Sequence, residues 1–250
     1  MNKMTEPILE IKNICRSFSE NIALKNISFS VFSGEFVVVC GRNGSGKSVL
    51  MHLIAQLDEP TSGQIIIPKS GVGLVFQDAN AQILGETPME DVAFGLKNQK
   101  FPKNEITKRA EETLKAVGLF ERRFAPARQM SGGEKRRLAV AGILAMNREV
   151  FIFDEPFANL DFPGVQNVCE ILKKLKEQKK TIIILTHELE KILALADRFI
   201  ILEKGEIQFN GKPEDGLKLD LEKFGIRNPL VQYKSADDLF WGKMQNGQIL

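Results

Sequence analysis

Between two apolar stretches the chain reads Gly41-Arg42-Asn43-Gly44-Ser45-Gly46-Lys47-Ser48, and no other segment restricts the fold as much. The pattern G-x-x-x-x-G-K-[ST] is the P-loop. Gly41, Gly44 and Gly46 let the backbone curl where a Cβ would obstruct it. The curl turns successive N–H groups inward as a nest for anionic oxygens. Lys47 adds a charge able to reach the outer phosphates of a nucleotide, and the Ser48 hydroxyl can take one place around Mg²⁺. Phe36-Val37-Val38-Val39-Cys40 leads in as a buried strand, and Val49-Leu50-Met51-His52-Leu53-Ile54-Ala55 leads out at helical spacing. Strand, glycine loop and helix together aim the helix N-terminus at the anion.

The 250 residues leave room for one large domain or two small ones with ample core. With 34 basic and 32 acidic residues the net charge is +2, too even a balance to argue for a nucleic-acid partner. Cys15, Cys40 and Cys169 are scattered and odd in number, which fits reduced thiols in a cytosolic protein. Residues 1–7 are polar and lack the apolar stretch of a signal peptide. The apolar runs 182–185 and 199–202 fall far short of the roughly 20 residues of a spanning helix. The expectation is a chain that does not cross a membrane but can dock beneath one.

The pattern predicts a strand at 8–11, a second over 23–32, and a hairpin turn at Ser33-Gly34-Glu35 leading into the P-loop strand. Strands at 64–67 and 72–76 come after a dense turn cluster at 57–63. Thr87 can cap a helix with Pro88 in its first turn, and 104–117 reads as a surface helix stopped by Gly118. Residues 135–146 form a strong helix with one apolar face, in which Lys135-Arg136-Arg137 is by default solvated. A helix over 162–180, opened by Pro163, alternates with strands at 150–153 and 181–185. Residues 192–196 read as helical, with strands at 198–202 and 207–209 beyond them. Residues 214–250 are mixed, with Pro229 and Trp241, and carry no motif.

Several residues outside the P-loop could serve phosphate chemistry, each with a plainer alternative. Phe18 can stack on a purine ring, though an aromatic between strands is more often core. Gln77, at a strand end, can ligate Mg²⁺ through its amide oxygen and position water; alone it would be a solvated loop residue. Ser131 sits where an N-cap belongs, and Gly132 and Gly133 expose backbone N–H groups, which makes a second anion-ready helix end or an ordinary capped helix. Asp154 and Glu155 end an apolar strand with two carboxylates. Asp154 would orient Mg²⁺ through its water shell, and Glu155 could act as general base on an attacking water. His187, at the end of another buried strand, can donate to a terminal phosphate oxygen.

The order of these pieces over residues 8–213 resembles the ATP-binding-cassette ATPases, the nucleotide-binding subunits of ABC transporters. Residues 41–48 match the Walker A motif, Gln77 the Q-loop, Ser131-Gly132-Gly133 the signature motif, and 150–155 Walker B. Residues 159–161 match the D-loop and His187 the switch histidine, with Phe18 at the stacking-aromatic position. The resemblance implies an α/β P-loop NTPase fold: a RecA-like core, an N-terminal antiparallel β-subdomain and an inserted α-helical subdomain. The cassette would span 5–215 with the helical insertion at about 78–147, leaving 216–250 as a C-terminal extension. Met130 and Glu134 stand where the signature usually has Leu and Gln, and Ala158 where the D-loop usually has Ser; altered turnover is the most these departures imply. The family places Ser131, Gly132 and Gly133 on the ATP of a second, identical or related subunit, with Asp161 also at that contact.

A finer likeness lies in Val75-Phe76-Gln77-Asp78, Gln82-Ile83-Leu84-Gly85 and Glu90-Asp91-Val92-Ala93-Phe94-Gly95. It is similar to the energy-coupling-factor group, which adds a short helix after the Q-loop, although the usual proline there is replaced by Asp78-Ala79. That likeness implies an ATP- and Mg²⁺-dependent ATPase at the cytoplasmic face of the membrane, powering import of a vitamin or metal ion. Its partners would be a transmembrane coupling protein and a small substrate-binding membrane protein, with Glu86, Glu90 and Asp91 as possible contacts for basic residues. The rival readings are a soluble single-cassette ATPase of cofactor assembly and a nucleotide-gated binding module without significant hydrolysis. A small-molecule kinase has no use for Ser131-Gly132-Gly133.

Overall fold

A computed structural model describes residues 6–235. Its centre is a six-stranded sheet in the order β5-β6-β7-β3-β8-β9. β3 (Phe36–Cys40), β5 (Val72–Val75), β6 (Val150–Asp154), β7 (Thr181–Leu185) and β8 (Arg198–Glu203) pair in parallel, and β9 (Glu206–Gly211) closes one edge antiparallel to β8. A three-stranded antiparallel sheet, β2-β1-β4, is built from β1 (Leu9–Phe18), β2 (Asn21–Val31) and β4 (Ser62–Ile66).

Side chains on a strand alternate between faces. On the central strands both faces are apolar, so one sheet divides two cores. Phe36, Val38, Phe151, Phe153, Ile182, Ile184, Phe199 and Ile201 point to the side covered by α5 (Phe162–Glu177). Val37, Val39, Val150, Ile152, Ile183, Leu185, Ile200 and Leu202 point to the side closed by α1 (Lys47–Ile54) and the small sheet. A third core belongs to α2 (Pro88–Asn98), α3 (Lys103–Ala116) and α4 (Gly132–Ala145). Ile106, Ala110 and Leu114 form the stripe by which α3 joins it, at the i, i+4, i+8 spacing of one helical face.

Some sequence expectations are corrected. Ser33-Gly34-Glu35 is a turn, with Glu35 N donating to Phe32 O at 3.1 Å, but not a hairpin: β2 pairs with β1 while β3 sits between β7 and β8. A strand as apolar as β3 is covered on both faces and paired on both edges, which β2 cannot supply. Residues 192–196 hold only the 3-10 turn Leu193–Leu195, after another at Leu189–Lys191. α4 lacks a single apolar face: Leu138 and Ala141 enter the helical core, whereas Ala139 and Val140 enter the core shared with the sheet. Within 216–250, Leu221 and Ile226 are buried in the main core; Trp241 and the rest of 236–250 lie outside the described residues.

Candidate functional site

The parallel strands β3, β6 and β7 end side by side, and the segments just past their carboxyl ends line one cavity of about 360 Å³. Its walls are Asn43, Gly44, Gly46, Lys47 and Ser48 after β3, Asp154 and Glu155 at the end of β6, His187 after β7, Gln77 after β5, and Asn21, Ile22 and Ala23 of β2. This is the carboxyl edge of an open parallel sheet, where such folds place ligands.

The glycines of the loop are required by close approach and by backbone conformation. A Cβ on Gly41 would lie 2.0 Å from Leu202 O, and Gly46 caps α1 at φ +103°. No side chain caps α1, and no acidic residue sits in its first turn, so its leading N–H groups face the cavity without a competing carboxylate. Lys47 is buried, and its Nζ donates to Gly41 O at 2.6 Å and Arg42 O at 3.1 Å. Burial lowers its pKa, opposed by Glu155, Cys40 and Asp154.

Glu155 is held from every side. It is buried, with φ +41°, a left-handed conformation that costs a non-glycine residue energy and that recurs at functional sites. Its N–H donates to Leu185 O at 2.8 Å, and its carbonyl accepts from Ala158 N at 3.1 Å. Its carboxylate accepts from Thr186 Oγ1 at 3.0 Å and lies 2.9 Å from His187 Nδ1. The Thr186 hydroxyl also accepts from Glu188 N at 3.1 Å, locking the turn that carries His187. Asp154, beside it, has its pKa raised first by burial and then by Glu155. Two carboxylates lie buried beside Lys47, and the oxygen donors of Ser48, Gln77 and Asp154 suit a hard dication such as Mg²⁺. Among the described residues no group of three His, Cys, Asp or Glu could hold a metal.

The remaining expected residues lie elsewhere. Phe18 is half exposed at the end of β1, opposite Asn21, with the Arg16 guanidinium 4.4 Å from its ring centroid. Ser131, Gly132 and Gly133 head α4, away from the cavity lining. Ser131 Oγ accepts from Glu134 N at 3.2 Å, and Glu134 Oε2 accepts from Ser131 N at 2.9 Å, a complete capping box. Asp161 caps α5 by accepting from Gly164 N at 2.9 Å. Of the three carboxylates expected at a membrane partner, Asp91 is turned inward, accepting from Leu84 N and Gly85 N at 2.7 and 2.9 Å. Glu90 accepts from Thr87 N in the capping box of α2, and Glu86 is exposed.

Two polar residues of this region were not singled out by the sequence. Thr186 has a weak signal, a hydroxyl between an apolar run and a histidine. Arg136 has a better one: it shares a helical face with Ala139, Val140 and Ile143, which pack into the core. It is 3% exposed rather than solvated, because Phe76 O and Gln77 O accept from its guanidinium.

Residues 24–158 match the ABC transporter family model. The energy-coupling factor transporter ATP-binding protein EcfA1 of Fusobacterium nucleatum is 39% identical over 219 residues, covering 82% of this chain and 83% of that protein. The cbiO1 protein of Clostridium perfringens, described as part of the ABC transporter complex cbiONQ, superposes with a TM-score of 0.78 at 31% identity, covering 90% and 96% of the two chains. A dimeric ATP-binding cassette solved after hydrolysis with ADP and phosphate bound superposes at 0.73 with 31% identity, covering 82% and 98%.

Proposed function

This chain belongs to the ABC transporter family, in the group of energy-coupling factor ATP-binding proteins, and from that premise we propose that it powers the import of a small nutrient, a vitamin or a metal ion. It binds and hydrolyses ATP. The observation that carries the chemistry is the 2.9 Å contact of Glu155 with His187 in the cavity that also holds Lys47 and Ser48.

The triphosphate lies along the head of α1, with the loop N–H groups and Lys47 on its oxygens. Ser48, Gln77 and, through water, Asp154 would hold Mg²⁺, which would supply positive charge against that of the phosphates. Glu155 takes the proton of the attacking water, Thr186 keeping its carboxylate aimed and His187 beside it at the terminal phosphate. Ser131, Gly132 and Gly133 are not among the residues that line this cavity. They close the cavity of a second subunit, identical or related, with Asp161 at the contact; the dimeric neighbour with ADP and phosphate supports this pairing. Phe18 stacks on the base. Glu155→Gln is expected to keep nucleotide affinity while lowering turnover by roughly 10²–10⁴-fold, since only the base is lost. Steady-state phosphate release at the normal rate would remove Glu155 from that role.

Among the described residues no helix is long and apolar enough to cross a membrane. A groove of about 370 Å³ lined in part by Phe76 and Gln82 supports docking beneath one. Leu57, Leu84 and Phe94, all exposed, rim it. We assign it to a cytoplasmic helix of a transmembrane coupling protein, itself joined to a substrate-binding membrane protein, which places this chain at the cytoplasmic face. Glu86 is the carboxylate left to meet a basic residue there, whereas Asp91 shapes the lip at 84–85. The Clostridium perfringens neighbour's place in a transporter complex supports this assignment. Detergent extracts should yield this chain with integral membrane proteins, and Leu84→Asp with Phe94→Asp should release it while the melting temperature holds. Retention of the double variant would put the docking surface elsewhere.

A further inference from the structure

The Q-loop backbone is tied to α4 by one buried side chain. Phe76 N donates to Gln82 Oε1 and Gln82 Nε2 donates to Leu74 O, both at 3.0 Å, so these groups are satisfied within the loop and its strand. The carbonyls of Phe76 and Gln77 turn the other way. They accept from Nη1 and Nη2 of Arg136, each at 2.5 Å. A guanidinium gripping two consecutive carbonyls fixes their orientation as well as their distance, because its donors lie in one rigid plane. Burial strengthens the grip by excluding water as a competitor. The preceding residue adds a second tie, Lys135 Nζ donating to Asn80 Oδ1 at 2.9 Å.

Arg136 stands five positions after Ser131 in one continuous helix, about 7.5 Å along its axis. A shift of Gln77 is thus carried by the fork to a rigid rod whose head is Ser131. We propose that Arg136 is a positioning residue that couples the two phosphate-facing ends of the chain, so that nucleotide at Lys47 sets the placement of Ser131 for the other subunit's site. The proposal rests on the reading above, in which Gln77 and Ser131 serve different ATP molecules.

Hydrogen–deuterium exchange on the full chain tests it, using a slowly hydrolysed ATP analogue with Mg²⁺ at a dilution where light scattering reports monomer. In the wild type, nucleotide should slow exchange in 41–50, in 76–82 and at the α4 head, 131–137. In Arg136→Met, slowing in 41–50 should persist while the response at 131–137 drops by about threefold or more. Arg136→Lys, which keeps the charge but not the planar fork, should fall between the two, and it serves alone should the methionine variant not fold. A clamp that merely stabilises the fold would lower the melting temperature in both variants and leave the nucleotide-dependent difference at 131–137 intact; that result overturns the proposal. So does a wild type protected in 41–50 but unresponsive at 131–137. Absence of protection in 41–50 of the wild type is a separate result: it defeats the nucleotide site itself.

Discussion

At the head of α1 the N-cap is a glycine, no side chain occupies the first N–H groups, and a buried lysine comes next. At the head of α4 the N-cap is Ser131, and Glu134 turns back onto its N–H while Arg122 Nη1 donates to the same carboxylate at 2.7 Å. Both are helix N-termini that suit an anion. The first keeps its donors open and adds a cation. The second has satisfied part of its own donor set and holds a carboxylate one turn in. A helix end finished in this way is stable alone, and it leaves the Gly132 and Gly133 N–H groups and the Ser131 hydroxyl proton for an incoming phosphate. The contrast fits the proposed pairing, in which the open end forms a pocket within one chain and the finished end would complete a site only when a second subunit brings the phosphate to it.

Substituting the two ends should therefore give different losses. Ser131→Ala should leave nucleotide affinity of the monomer within about twofold yet cut turnover by roughly 10²–10³-fold, the usual cost of removing one donor from a developing charge. The lost cap should also cost about 1 kcal/mol of stability, read from urea melts. Lys47→Met should instead act on the monomer, weakening its nucleotide binding by about 10–100-fold through loss of a charged hydrogen-bond donor. Equal losses of monomer affinity in the two variants would show that the ends are equivalent and the comparison wrong.

A smaller effect sharpens the comparison. Glu134→Gln keeps an oxygen for Ser131 N but removes the charge, and turnover should rise about two- to fivefold as repulsion of phosphate at the α4 head is relieved. The same carboxyl is held below its ordinary pKa, first by the Ser131 N–H and further by Arg122. Its stabilising contribution is then full above the ordinary glutamate range and is lost as pH falls through the lowered folded value. Melts through that acid range should show a flatter decline in Glu134→Gln than in the wild type, and identical acid limbs would detach Glu134 from the cap.

The strands and their termini were legible because the signals are local. Continuous apolar runs that lead into Gly41, Asp154 and His187 report both the burial of β3, β6 and β7 and the candidate residues at their ends. Thr87 and Ser131 were legible as caps for the same reason, since a cap bonds within its own first turn. Asp91 read as a possible partner contact and Arg136 as a solvated charge, because the groups that claim them lie in loops that no periodicity brings near. Asp91 is claimed by the 84–85 backbone and Arg136 by the 76–77 backbone.

The amino-acid order alone determined a phosphate-binding loop between strand and helix, a pair of carboxylates at a strand end and a serine-capped second helix, since each depends on neighbours within one turn. Which strands lie side by side, that β3 takes β7 and β8 rather than β2, and which buried charge grips which carbonyl were decided only by tertiary packing. The physical reason is that a hydrogen bond across 60 residues, such as Arg136 to Phe76, exists only after the cores on both sides have closed around it.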